Sequence, residues 1–124
     1  MIGIRKIITG WIPSSLCALI IAYASLYPYG EFGLMLDVRD WIQHGIAYMV
    51  LSFTLSFPVK SGFARMPLQH RILSIIAICV AFGILMELGQ FISPGRTPSI
   101  IDASANLIGA LIGQILFVYT RFMD

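Results

Sequence analysis

Five side chains able to do chemistry fall within the stretch 87–106: Glu87, Gln90, Arg96, Asp102 and Asn106. They lie at the junction of two apolar segments that otherwise carry almost nothing ionisable. A carboxylate at membrane depth is costly and needs a partner or a function. Glu87 is a candidate general acid or base, because burial disfavours its charged form and a cation such as Arg96 favours it. The competing reading is a hydrogen-bonded glutamate that ties helices together. Arg96, between Pro94 and Pro98, could grip phosphate or carboxylate in bidentate fashion. It could equally be a snorkelling interfacial arginine paired with Glu87 or Asp102. Asp102 belongs to Ser99-x-x-Asp102, which fits a helix N-terminal cap. Asn106, one turn deeper, suits a hydrogen bond between helices.

A second group stands at Arg39, Asp40, His44 and Tyr48, the last three four residues apart and so on one helical face. His44 could shuttle protons or pair with Glu87, and the alternative is a helix-bridging hydrogen bonder. These two are the catalytic candidates. With Arg39, Asp40, Tyr48, Gln90, Arg96, Asp102 and Asn106 they form the expected ligand-binding set. One histidine beside carboxylates is a weak metal signal, since zinc sites usually combine several histidine or cysteine ligands. No metal or other cofactor is expected. No P-loop, nucleophile elbow or dinucleotide fingerprint is present.

The elements that must position these groups follow from composition. The 124 residues are 58% hydrophobic and 11% charged, with mean hydropathy +0.87. A soluble domain carries about 25% charged residues, so this chain reads as a single-domain integral membrane protein. The expected fold class is all-α, a bundle of four transmembrane helices over 7–26, 41–57, 72–92 and 100–119, each near the ~20 residues a bilayer requires. Prolines and glycines punctuate the gaps, while Pro13 sits near the start of the first span, where a missing N–H is least harmful. Arg5, Lys6, Lys60, Arg65, Arg71 and Arg121 fall on one side. Arg39 and Arg96 fall on the other with Glu31, Asp37 and Asp40. Cytoplasmic loops hold the excess of lysine and arginine, so both termini are expected inside. The first residues and Ala22-Tyr23-Ala24 also resemble a signal peptide, but the apolar run is long for that role and is expected to be retained. His70 and Arg71 read as anchors at the cytoplasmic entry of the third span. Trp11, Tyr27, Tyr29, Trp41 and Tyr119 suit an interfacial aromatic belt. Cys17 and Cys79 lie in apolar runs and read as small packing residues. The modest net charge of +2 and the lack of a basic run give no sign of nucleic acid.

Periodicity assigns faces to these spans. Cys79, Gly83, Glu87 and Gln90 share one face of the third, and Asp102, Asn106, Gly109 and Gly113 share one face of the fourth. The Gly109-x-x-x-Gly113 pair permits close backbone approach. Set against Gly83 and Cys79, it suggests a tight hairpin of the last two spans. At ~1.5 Å per residue, His44 lies about 6 Å inward of Asp40. Glu87 and Asn106 lie at similar depths in their own spans, so three helices bring polar groups to one level.

These residues resemble the VanZ-like family. The resemblance rests on Asp40-x-x-x-His44-x-x-x-Tyr48, Glu87-x-x-Gln90-Phe91, Pro94-Gly95-Arg96, Asp102-x-x-x-Asn106-x-x-Gly109-Ala110 and Gly113, with Ser25-Leu26-Tyr27-Pro28 at the end of the first span. It covers nearly the whole chain. One departure is that the family often has lysine directly after the aspartate, whereas Trp41 follows Asp40 here and Arg39 precedes it. The resemblance implies a small multi-pass protein of the bacterial cytoplasmic membrane, related to a protein linked to low-level teicoplanin resistance. Two functions are then expected as alternatives. One is non-enzymatic binding of a lipid or lipid-linked cell-wall precursor headgroup in an outward-facing polar pocket, with homo-oligomerisation as a further option. The other is a membrane-embedded enzyme acting on a lipid-linked or phosphorylated envelope substrate. A transporter is weaker, because four short helices without an evident inverted repeat leave little room for alternating access.

Overall fold

The structure, a computed structural model, describes residues 2–27, 40–95 and 98–123. Five helices follow in order: α1 (Ile2–Gly10), α2 (Ile12–Leu26), α3 (Asp40–Gly62), α4 (Leu68–Gln90) and α5 (Ile100–Met123). Helices α1 and α2 together form one span interrupted at Trp11. Pro13, in the first turn of α2, cannot donate to the carbonyl one turn back, and the Trp11 N–H reaches only Ile8 O at 3.2 Å. Among the described residues, four helical segments of 22–24 residues are long and apolar enough to cross a membrane. The protein is an all-α, multi-pass membrane bundle.

The spans run longer than the expected ones: the first starts at Gly3 and the fourth ends at Met123, and two further boundaries shift at prolines. The second span does not stop before Pro58 but continues to Gly62, with Pro58 inside the helix and fully buried. Gly10 of α1 lies against this proline. The third span starts at Leu68, directly after Pro67, whose carbonyl accepts from the N–H groups of His70 and Arg71.

The bundle is organised by α3 and α5, which make its most extensive contact. A Cβ at Gly109 would collide with the Gly45 carbonyl, and one at Gly113 would lie 2.5 Å from the Met49 carbonyl. The contact advances four residues on both helices, so they run in the same direction. The last two spans do pack on each other, with Gly83 against Asn106, but the Gly109/Gly113 face packs on α3 and not on Gly83 and Cys79 as expected. The reason is that Gly109 and Gly113 carry no side chain where the Gly45 and Met49 carbonyls approach them. Gly83 of α4 instead makes room for side chains, with Asn106 and Tyr48 against it. The apolar core comprises Tyr48, Leu51, Leu55, Ile75, Cys79 and neighbours, while large aliphatic residues such as Leu19, Ile84, Leu85 and Ile115 point outward. Outward-facing apolar side chains are the expected solution where the surroundings are lipid.

Candidate functional site

The polar groups collect where the first turns of α3 and α5 meet the last turn of α4. Ser99 precedes α5, and its Oγ accepts from the Asp102 N–H at 3.3 Å. That is half of a capping box. The other half does not come from Asp102. The Ser99 N–H donates to Glu87 Oε2 at 2.8 Å, so a carboxylate from α4 closes the cap of α5. Asp102 is thereby free to turn toward α3, where its Oδ2 lies 3.8 Å from His44 Nε2. The capping role foreseen for Asp102 thus passes to Glu87 as far as its side chain is concerned.

His44 is fixed on its other edge. Its Nδ1 is 3.0 Å from Asn106 Oδ1, which bridges α3 and α5 as the spacing suggests. One ligand atom each from His44, Glu87 and Asp102 lies within 4.8 Å of the others. Glu87 is only 9% exposed, yet its Oε1 has no hydrogen-bond partner, and neither does Tyr48 Oη or Asn106 Nδ2. Polar atoms buried without partners are uncommon in finished structures. Three of the five such atoms among the described residues lie on Glu87, Tyr48 and Asn106; the other two, Arg71 Nε and Gln114 Oε1, lie toward the opposite end of the bundle.

The remaining expected site residues divide. Tyr48 is buried one turn below His44 with its ring tilted against Phe82. Gln90 is buried and donates to the Ser25 carbonyl at 3.2 Å, beside a Ser93 Oγ bond to the Leu26 carbonyl at 2.7 Å. Both bonds satisfy carbonyls that the end of α2 leaves open, which attaches the first span to the site. Arg39, Arg96 and the Asp40 side chain lie outside the described residues, as does any ion pair of Arg96. The turn between α4 and α5 includes Gly95 at φ 74°, a conformation that favours glycine.

A second polar cluster escaped the sequence reading. Gln114 Nε2 faces Ser52 O (3.0 Å), Ser52 Oγ (2.8 Å) and Ser56 Oγ (3.0 Å), sharing its two protons among three acceptors. Ser52 Oγ in turn donates to the Ala110 carbonyl at 2.8 Å. The signal was available: His44, Tyr48, Ser52 and Ser56 step by four along α3, and Asp102, Asn106, Ala110 and Gln114 step by four along α5. The two polar stripes face one another for most of the bundle's depth. Only their first members carry groups that can ionise at neutral pH or bind a cation.

No curated protein and no solved structure matches this chain. Residues 11–122, which hold every described member of the cluster, match the VanZ/LLP1 family. The chain belongs to the VanZ/LLP1 family.

Proposed function

We propose that this protein resides in the bacterial cytoplasmic membrane with both termini inside. In this reading it binds the polar headgroup of a lipid or lipid-linked cell-wall precursor at the outer ends of α3, α4 and α5. The observation that carries the reading is the approach of His44, Glu87 and Asp102 within 4.8 Å, with Glu87 buried. A pair of carboxylates does not attract an anion by itself. The anionic part of a headgroup would therefore fall to Arg39 and Arg96 in the adjoining segments, and the carboxylates would take a cationic or hydrogen-bond-donating part. Occupying such precursors would change the access of teicoplanin-type lipoglycopeptides to their target.

A second reading is an enzyme of lipid-linked or phosphorylated envelope substrates, in which Glu87 and His44 move protons. The 3.8 Å separation of His44 Nε2 from Asp102 favours it, because a carboxylate that near stabilises an imidazole that takes up a proton. Lipid and precursor mass spectrometry on cells with no protein, wild type and Glu87→Gln separates the two. Under the binding reading, the set of chemical species is the same in all three. A wild-type headgroup lipid should also co-purify with the protein and be lost from a His44→Ala, Asp102→Ala double variant. A product found only in wild-type cells would establish the enzymatic reading instead.

A further inference from the structure

We infer that His44, Glu87 and Asp102 jointly hold one divalent transition-metal ion of the Zn2+ or Mn2+ class. The inference rests on reading this cluster as a binding site, and it names what the carboxylates bind.

The first argument is orientation. An amide oxygen only accepts, so with Asn106 Oδ1 at 3.0 Å from His44 Nδ1 a neutral imidazole carries its proton on Nδ1. Nε2 then presents its lone pair to Asp102 Oδ2, itself rich in lone pairs, at 3.8 Å. That is too long for a hydrogen bond. It is a natural separation for two atoms sharing an ion, since metal–ligand bonds of about 2.0–2.2 Å allow such pairs to stand up to about 4 Å apart. A histidine whose distal N–H is held by an oxygen is also how proteins commonly orient metal ligands. Asn106 fills that role here.

The second argument is charge. Among the described residues no lysine or arginine pairs with Glu87 or Asp102. Even a protonated His44 would leave the cluster one negative charge in excess. With both carboxylates ionised, a divalent ion and a neutral imidazole bring the sum over these three side chains to zero, which favours the ion in a largely buried site. The third argument is the free acceptor. Glu87 Oε2 takes the Ser99 N–H, as a supported ligand should, while Oε1 is buried with no donor.

The donor set selects the ion. One imidazole with two carboxylates suits Zn2+ or Mn2+, whereas Cu+ would call for the thiols, and Cys17 and Cys79 are not in the cluster. Three protein ligands leave coordination positions open. An ion there would accept phosphate or another anionic oxygen of a headgroup, removing the repulsion that the bare carboxylates would exert.

The test uses the full chain in detergent, stripped with chelator and titrated with Zn2+ and with Mn2+ by calorimetry and elemental analysis. About one equivalent should bind. Affinity should fall about tenfold or more in His44→Gln, Glu87→Gln and Asp102→Asn, and by a comparable factor in Asn106→Ala. It should be unchanged in Cys17→Ala, Cys79→Ala and His70→Ala. Should the cluster variants fail to fold, Co2+ loaded into wild-type protein must show visible ligand-field bands without thiolate charge transfer. No stoichiometric uptake, uptake indifferent to the three ligands, or a thiolate band overturns the inference. Co-purification of a headgroup lipid with chelator-treated protein that takes up no metal would overturn the ion and leave the headgroup reading standing. Metal uptake without headgroup binding would do the reverse.

Discussion

Glu87 has two separable duties, one on each carboxylate oxygen. Oε2 completes the N-terminal cap of α5 through the Ser99 N–H, and Oε1 is buried without a partner. The two duties respond differently to substitution. Glu87→Gln keeps an oxygen able to accept from Ser99, so the fold should hold. Glu87→Ala strands a buried N–H and opens a void, which should cost about 1–2 kcal/mol. Thermal unfolding in detergent should therefore rank wild type and Gln together, with Ala clearly below. Equal loss in Gln and Ala would mean that the charge itself, not the cap, holds α4 against α5. The same reasoning shows how far the cap at Ser99 and Asp102 is legible in the sequence. The pattern Ser99-x-x-Asp102 does encode a cap, but it cannot reveal that a residue twelve positions earlier supplies the returning bond.

At the scale of elements, the faces of the helices were legible and their partners were not. Cys79, Gly83, Glu87 and Gln90 are all buried on α4, as are Asn106, Gly109 and Gly113 on α5. A period of three to four residues is enough to find such a stripe. Which stripe meets which depends on local relief. Gly109 and Gly113 bring bare backbone against the Gly45 and Met49 carbonyls, and those missing side chains let α5 dock on α3. Nothing in the period of either helix states that. The consequence can be measured. Gly109→Ala places a methyl against the Gly45 carbonyl, where backbone cannot yield, and should cost about 1–3 kcal/mol. Gly62→Ala, with nothing within 4 Å of the added atom, should be neutral or slightly stabilising because alanine favours helix. Equal unfolding temperatures for the two variants would refute the close α3–α5 contact. Because His44 and Asn106 meet across that contact, Gly109→Ala should also weaken any ligand bound by the cluster.

At the scale of the whole molecule, composition alone made a membrane bundle legible, and the cluster's depth followed from counting inward along three spans. Its chemistry did not follow, since residues 44, 87 and 102 become neighbours only when three helices converge. What orients the site in a cell is the distribution of cations. Arg5 and Lys6 on α1, Lys60 in the last turn of α3, Arg71 in the first turn of α4 and Arg121 in the last turn of α5 share one end of the bundle, away from the cluster. Lys60, Arg71, Gln114 and Phe117 line one small cavity there, which ties three of the helix ends together. The excess of basic residues should keep that end cytoplasmic. In a Cys17→Ala, Cys79→Ala background, Ile92→Cys, at an 88% exposed position beside the cluster end, should react with a membrane-impermeant maleimide in intact cells. Ser61→Cys, at the basic end, should react only after lysis. The opposite pattern would turn the cluster toward the cytoplasm. A cell-wall precursor headgroup displayed on the outer leaflet would then be out of its reach, and the proposed function would fail even if the ion and the fold were as described.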